Sequence, residues 1–233
     1  MSFGDLHYGG PLFLYLHDMP NPNSAVSTEL DAVNQILGSV GQAPVLDLDM
    51  QNPEVNICLQ TLRDTNRQLQ AEGWPFNTEY LVKFTPDANK KIIIPHDVLQ
   101  IDSNESRHFN NYNLIRRLDT SDNTNKLYDR FWHQKNKTEG YTFDEDIYCD
   151  VVYFIRFDNL PYAFQAHIIA RAARQVAIKL VGSAELVQLL AVEEDQTRAA
   201  LMEYETNQGD YSIFGSKDGL HYNSYQPFKA LAR

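Results

Sequence analysis

The hydrophobic period changes twice along this chain, and that constrains its architecture more than any single motif. Apolar residues first recur at three- and four-residue steps, the repeat of one helix face: Leu30, Val33, Ile36 and Leu37, then Val55, Cys58/Leu59, Leu62 and Leu69. From Trp74 to about Phe157 the step shortens. Tyr80, Val82 and Phe84 alternate with Leu81 and Lys83. Ile92–Ile94, Val98–Ile101, Tyr112–Ile115, Leu127–Trp132 and Ile147–Phe157 are short runs rich in β-branched and aromatic residues. This predicts five to seven strands, with Ile147–Phe157 the strongest and most central. The helical step then returns in Tyr162, Ala166, Ile169, Ala173, Val176 and Leu180, and again in Leu186, Leu189/Leu190, Leu201 and Tyr204. The order helix–helix, β block, helix–helix predicts an α+β fold: a bundle of about four α-helices with an inserted antiparallel β domain, plus N- and C-terminal extensions.

Local signals set the boundaries. Ser27 or Thr28 reads as an N-cap, with Glu29 and Asp31 in the first turn, where the helix dipole favours acids. Asn52-Pro53-Glu54 opens a second helix, with an Asn cap and proline at the first position. Asn159 reads as the cap of a helix starting at Pro161, and Ser183 as the cap of a last one running to about Asn207. Gly38/Gly41, Gly73 with Pro75, and Gly182 are the stops. The expected division is an N-terminal extension over 1–25, with a short strand at Leu12–Leu16; a helical bundle over 26–74 and 158–208; a β domain over 75–157; and a C-terminal arm over 209–233. In that arm Tyr211, Phe214, Tyr222, Tyr225 and Phe228 stand among Gly, Ser, Asn and Asp, and read as partner-docking groups.

Charge excludes one class of function. The 233 residues carry 20 Lys+Arg against 31 Asp+Glu, a formal net charge of −11. A protein that grips nucleic acid needs clustered cations to displace counterions, so a DNA-binding factor is disfavoured. The excess sits mainly in the helical segments. Two cysteines, Cys58 and Cys149, are too few for a four-cysteine zinc site or a disulfide scaffold, and are expected to be reduced and buried. No apolar stretch approaches the ~20 residues a membrane helix needs, so no membrane partner is expected.

Catalytic patterns are sparse. P-loop, Gly-x-Gly-x-x-Gly and Gly-x-Ser-x-Gly turns are absent. The seven histidines form no His-x-x-x-His pair, and Asp47-Leu48-Asp49 lacks the glycine of a calcium loop. The expectation is no cofactor, no metal and no catalytic residue. Asp144-Glu145-Asp146 is the best candidate for paired-carboxylate hydrolysis, and with aromatic stacking it keeps open a rival reading as a carbohydrate-binding or glycan-hydrolysing module. His167 and Arg171, four residues apart, read as an exposed or interface helix face. Arg171, Arg174 and Lys179 form a basic helix face, and Glu193, Glu194 and Asp195, with Arg198, Glu203 and Glu205, an acidic one; both read as solvated or partner-facing.

Four segments together resemble a known family. Thr28–Gly41 (TELDAVNQILGSVG) resembles the opening helix of tail tubular protein A, the head-to-tail adaptor or gatekeeper of short-tailed podophages. Asn66–Asn77 (NRQLQAEGWPFN) resembles the end of that family's second helix and the approach to its β domain. Ala172–Gln175 through Gly182–Glu185 is similar to its third helix and turn. Glu193–Asp195, Met202–Glu205 and Gly209–Tyr211 are similar to its last helix and tail. The resemblance implies a non-enzymatic structural protein of the virion tail, assembled in the host cytoplasm. Twelve copies would form a ring between the portal and the nozzle (tail tubular protein B), continuing the DNA channel for genome retention and ejection and supporting tail fibres. DNA would then be a partner only in transit, past a wall whose acids repel phosphates. On this reading Arg171, Arg174, Lys179, Glu193, Glu194 and Asp195 are candidates for the subunit interface, Trp74 and Phe76 for the junction between bundle and β domain, and the C-terminal aromatics for contact with portal or nozzle.

Overall fold

The computed structural model describes residues 28–103, 112–136 and 139–208. The expectations for the 1–25 extension, and for Tyr211, Phe214, Tyr222, Tyr225 and Phe228, therefore lie outside the described residues. The helices are α1 (Glu29–Ser39), α2 (Pro53–Gln70), the short α3 (Arg130–Asn136), α4 (Tyr162–Leu180) and α5 (Ala184–Gln208). The strands are β1 (Thr78–Phe84), β2 (Val98–Ser103), β3 (Leu114–Asp119), β4 (Thr124–Asp129) and β5 (Ile147–Tyr153). The fold is α+β, as the two changes of period imply.

The caps explain the first two helices. Thr28 and Asp31 form a reciprocal capping box on α1: Asp31 N donates to Thr28 Oγ1 (3.2 Å) and Thr28 N to Asp31 Oδ2 (3.1 Å). Asn52 Oδ1 accepts from Glu54 N (3.0 Å), with Pro53 in the first turn of α2. The α4 start differs from the expectation. Phe157–Asn159 forms a 3₁₀ turn, Pro161 holds the cap position without a side-chain bond, and Gln165 Nε2 reaches back to Phe157 O (2.8 Å). Asn159 is spent inside the turn.

One core lies among the helices, around Phe164, Leu62, Ile36, Val176 and Leu201. A second lies in the β block and includes Ile92, Val98, Leu127, Ile147 and Val151. Sheet order is β1-β5-β2, all antiparallel, so β5 is central. β3 and β4 form a separate hairpin. Two strand expectations are corrected. Ile92–Ile94 makes only an isolated bridge, Ile93 to Lys126. Leu127–Trp132 changes to helix at Arg130, because Asp129 Oδ1 accepts from Phe131 N (2.9 Å) and starts α3. In β1 a bulge between Glu79 and Val82 puts Leu81 at φ +57°, and its N–H donates to Asp150 Oδ1 (3.1 Å).

The hairpin end is fixed by a buried lysine. Lys126 is 3% exposed, and its Nζ lies 2.8 Å from Asp119 Oδ2 and also pairs with Asp122. Hydrogen bonds from Lys126 and Ser121 hold the Asp119 carboxyl well below the usual carboxylate range. A carboxyl with a depressed folded value stabilises above its ordinary value, and the benefit is lost as pH falls through the folded one. Lys126→Met is therefore expected to lower the melting temperature at neutral pH. The gap to wild type should close only in strong acid, as Asp119 protonates. Melting curves across pH check this; a gap independent of pH counts against it.

Candidate functional site

With no catalytic constellation to build from, the surfaces around α4 and α5 are the place to look for function. Gly182, at φ +70°, makes the turn between them, a backbone region that favours glycine. Ser183 caps α5, its Oγ accepting from Leu186 N (3.3 Å). At about 1.5 Å per residue, the 25 residues of α5 span ~37 Å. For so long a helix little is buried: Leu190, Leu201 and Glu205.

The inner face of α5 is polar and bonded to its neighbours. Glu194 pairs with Arg174 and lies 3.9 Å from Arg171, both on α4. Thr197 Oγ1 donates to Glu194 O (2.9 Å) and lies 3.1 Å from His167 Nδ1. With its one hydrogen on the carbonyl, the hydroxyl can only accept from His167, in the tautomer that carries Nδ1–H. Burial, aided by Arg198, pushes the His167 pKa down. His167 is thus a buried, neutral helix-packing residue, a correction of the exposed-face expectation. Arg198 lies over the Trp74 ring at 4.9 Å and bonds Glu72 Oε2 (3.1 Å). Glu205, expected on the solvated side, is 5% exposed with both oxygens unbonded, and burial pushes its carboxyl up.

The six interface candidates therefore separate. Glu194, Arg171 and Arg174 meet one another within the chain. Lys179 Nζ donates to Thr61 Oγ1 of α2 (2.9 Å). Glu193 and Asp195 are exposed, with no ion pair among the described residues. Next to them Leu189 is 65% and Val192 55% exposed. The expected stripe over Leu189/Leu190 resolves to Leu190 inside and Leu189 outside. On α4, Tyr162 is likewise exposed, and Phe164 and Ile168 fill the core beside Ile169.

Trp74 and Phe76 both stand edge-on to Phe164, at 5.2 Å and 4.9 Å between ring centroids. Trp74 Nε1 donates to Leu69 O (2.7 Å). Two polar side chains beside them escaped the sequence reading. Asn77, 2% exposed, accepts from Trp74 N (2.8 Å) and donates to both Gln70 O and Tyr153 O (3.0 Å each). Gln70, fully buried, donates to Ile155 O (2.8 Å) and accepts from Ile155 N (2.7 Å). The end of α2 is thus bonded to the segment leaving β5. The signal for Gln70 was its four-residue spacing from Asn66 on a buried face; nothing marked Asn77.

On the other edge of the bundle, α1, α2 and residues 154–158 enclose a cleft of about 410 Å³. Arg63, Arg67 and Arg156 line it, over Phe154 and Phe157. Arg63 is neutralised by Glu29 (2.7 Å) and Arg156 pairs with Asp158 (3.6 Å), whereas Arg67 lies over Phe154 at 5.7 Å with no acid partner among the described residues. Sequence reading missed this cluster because Arg156 is 89 positions from Arg67.

The acidic triplet does not form paired carboxylates. Asp144 binds Lys90 (2.6 Å), Glu145 accepts from Tyr112 Oη (2.8 Å), and Asp146 binds Lys83 (2.7 Å). Burial and Glu145 push the Tyr112 phenol up to about 12. Burial likewise pushes the Cys58 thiol up to about 11 and Cys149 to about 12; both are free and buried, as expected. Among the described residues no group of three or more His, Cys, Asp or Glu is placed to hold a metal, and no helix is long and apolar enough to cross a membrane.

A protein-family model described as "Tail tubular protein" matches residues 30–211, from the second residue of α1 to just past α5. No curated protein matches the chain.

Proposed function

The chain belongs to the tail tubular protein family, structural components of the phage tail, and from that premise we propose that it acts as the head-to-tail adaptor: a ring of copies, twelve by family resemblance, between portal and nozzle. The ring continues the DNA channel, retains the packaged genome until ejection, and supports fibre attachment. It assembles in the host cytoplasm before joining the virion.

The observation that carries this reading is α5. It leaves Leu189 and Val192 exposed, and Glu185, Glu193, Asp195 and Glu203 without ion pairs among the described residues. A helix this long with so little of its surface covered is made to be covered by something else. The net charge of −11 fits DNA as a passenger, since an acidic wall repels phosphates. The divergence of Asp144, Glu145 and Asp146 to three partners gives a glycan hydrolase no carboxylate pair, and family membership points away from catalysis. The aromatics Tyr211, Phe214, Tyr222, Tyr225 and Phe228 are proposed as the docking arm for portal or nozzle.

Electron microscopy of the purified protein, alone and with portal protein, tests the proposal. Closed rings that stack on the portal are expected. A chain ended after Gln208 should still form rings but lose the portal or nozzle. Particles that stay monomeric even with portal present would remove the adaptor reading.

A further inference from the structure

The long helices are layered with α4 in the middle, α5 packed along one side of it and α1 and α2 along the other. The outer face of α5 and the outer face of α2 therefore lie at opposite edges of the bundle. On α5, Glu185, Leu189, Val192, Gln196, Ala199 and Glu203 follow at four- and three-residue steps, forming one exposed row opposite Leu190, Glu194 and Leu201. That row has an apolar middle and acidic ends, with Glu193 and Asp195 on its flanks. On α2 the Arg63–Arg67–Arg156 cleft is open, and a second hollow of about 390 Å³ continues it along the same helix past Gln60 to Ile57 and Lys179. Within the cleft Arg67 lacks an acid, and one buried oxygen of Asp158 lacks a donor. One edge thus offers unpaired acids around exposed leucine and valine. The other offers Arg67 and Lys179, neither with an acid partner among the described residues, around phenylalanine and isoleucine, while Arg63 and Arg156 are held by Glu29 and by Asp158 (3.6 Å).

We propose that the outer row of α5 of one copy seats against the α2 cleft of the next copy, Leu189 and Val192 covering the apolar floor and the flanking acids meeting Arg67 and Lys179. This rests on the ring reading and names its contact. The two faces differ and lie at opposite edges, so the contact is heterologous: every copy uses one face forward and one backward, and the series ends only by closing. Charge fixes partner and register, and the apolar middle supplies the buried area. Of the six interface candidates the contact uses Glu193, Asp195 and Lys179; Glu194 already pairs with Arg174 and lies 3.9 Å from Arg171 inside the chain.

Two variants test it by native mass spectrometry. Leu189→Asp spoils the α5 row and leaves the cleft; Arg67→Glu spoils the cleft and leaves the row. Both positions are exposed, and matched melting curves would show that folding is unaffected. Glu203→Lys and Lys179→Glu form a second pair should either fail to fold. Each variant alone is expected to lose all species above the monomer. Mixed, they are expected to give a one-to-one dimer and nothing larger, because one intact row meets one intact cleft and the spoiled faces end the series. A variant that still builds the wild-type assembly, or a mixture that stays monomeric, overturns this contact and leaves the ring reading standing. A wild-type chain that never assembles, with or without portal, overturns the ring reading and this contact with it.

Discussion

Trp74→Ala is expected to cost about 3–5 kcal/mol of stability, the usual penalty for emptying a large aromatic site in a packed core. Trp74 is 6% exposed, sits against Phe164 and lies under the Arg198 guanidinium. Alanine would remove the ring from both contacts and leave the Leu69 carbonyl without its indole donor. Trp74→Phe separates the two losses: it keeps most of the packing, and is expected to cost only the roughly 0.5–1.5 kcal/mol of one hydrogen bond, since the Leu69 carbonyl still accepts from Glu72 N (3.1 Å). Urea unfolding measures both. The second tryptophan, Trp132, is half exposed, so a blue-shifted emission that moves red on unfolding reports mainly on Trp74. An unchanged midpoint in Trp74→Ala would place this ring outside the load of the core.

Asn77→Leu is expected to be as damaging as Trp74→Ala, through a different route. Leucine nearly conserves volume but leaves Trp74 N–H without its acceptor and takes the amide donor from Tyr153 C=O and from Gln70 C=O, which keeps only Gly73 N–H (3.1 Å). Each buried group so abandoned costs about 1–3 kcal/mol. Because those groups span the end of α2 and the end of β5, the loss should also uncouple the two cores. Hydrogen exchange should quicken in β1 and β5 before it does in α2 and α4. Uniform quickening across both cores would show that Asn77 contributes to general stability without coupling them.

The order of elements was legible because periodicity and caps agree over Thr28–Gln70, and because periodicity alone carries Tyr162–Leu180, where the expected Asn159 cap is not used. What periodicity does not carry is the choice between neighbours of equal character. Leu189 and Leu190 read alike, and only the packing of α5 on α4 turns one in and the other out. Glu194 and Glu193 read alike in the same way, although one meets two arginines inside the chain. The α5 sequence has apolar residues nearly all round, so its buried face is set by α4 and not by its own pattern. Leu81 shows the same limit in a strand: the alternation from Tyr80 to Phe84 is real, but a bulge breaks it at a residue with no local turn signal. The α2 cleft was illegible for a further reason. Its cations come from two chain segments that meet only through the fold, and the β block separates them in sequence.

That block is carried on two adjacent passes of chain, one leaving Trp74 for β1 and one returning from β5 to Phe157. Thr78 and Val152 are paired neighbours, so both tethers leave the sheet at the same end. A force drawing the β block away from the bundle would load β1 and β5 as a zipper, parting one pair of residues at a time, and not as a shear that must break the whole ladder together. Asn77 and Gln70 sit at the first tooth of that zipper. If the protein is loaded as the proposed adaptor would be, the resistance of each subunit to being pulled open would then depend on two buried amides more than on the sheet behind them.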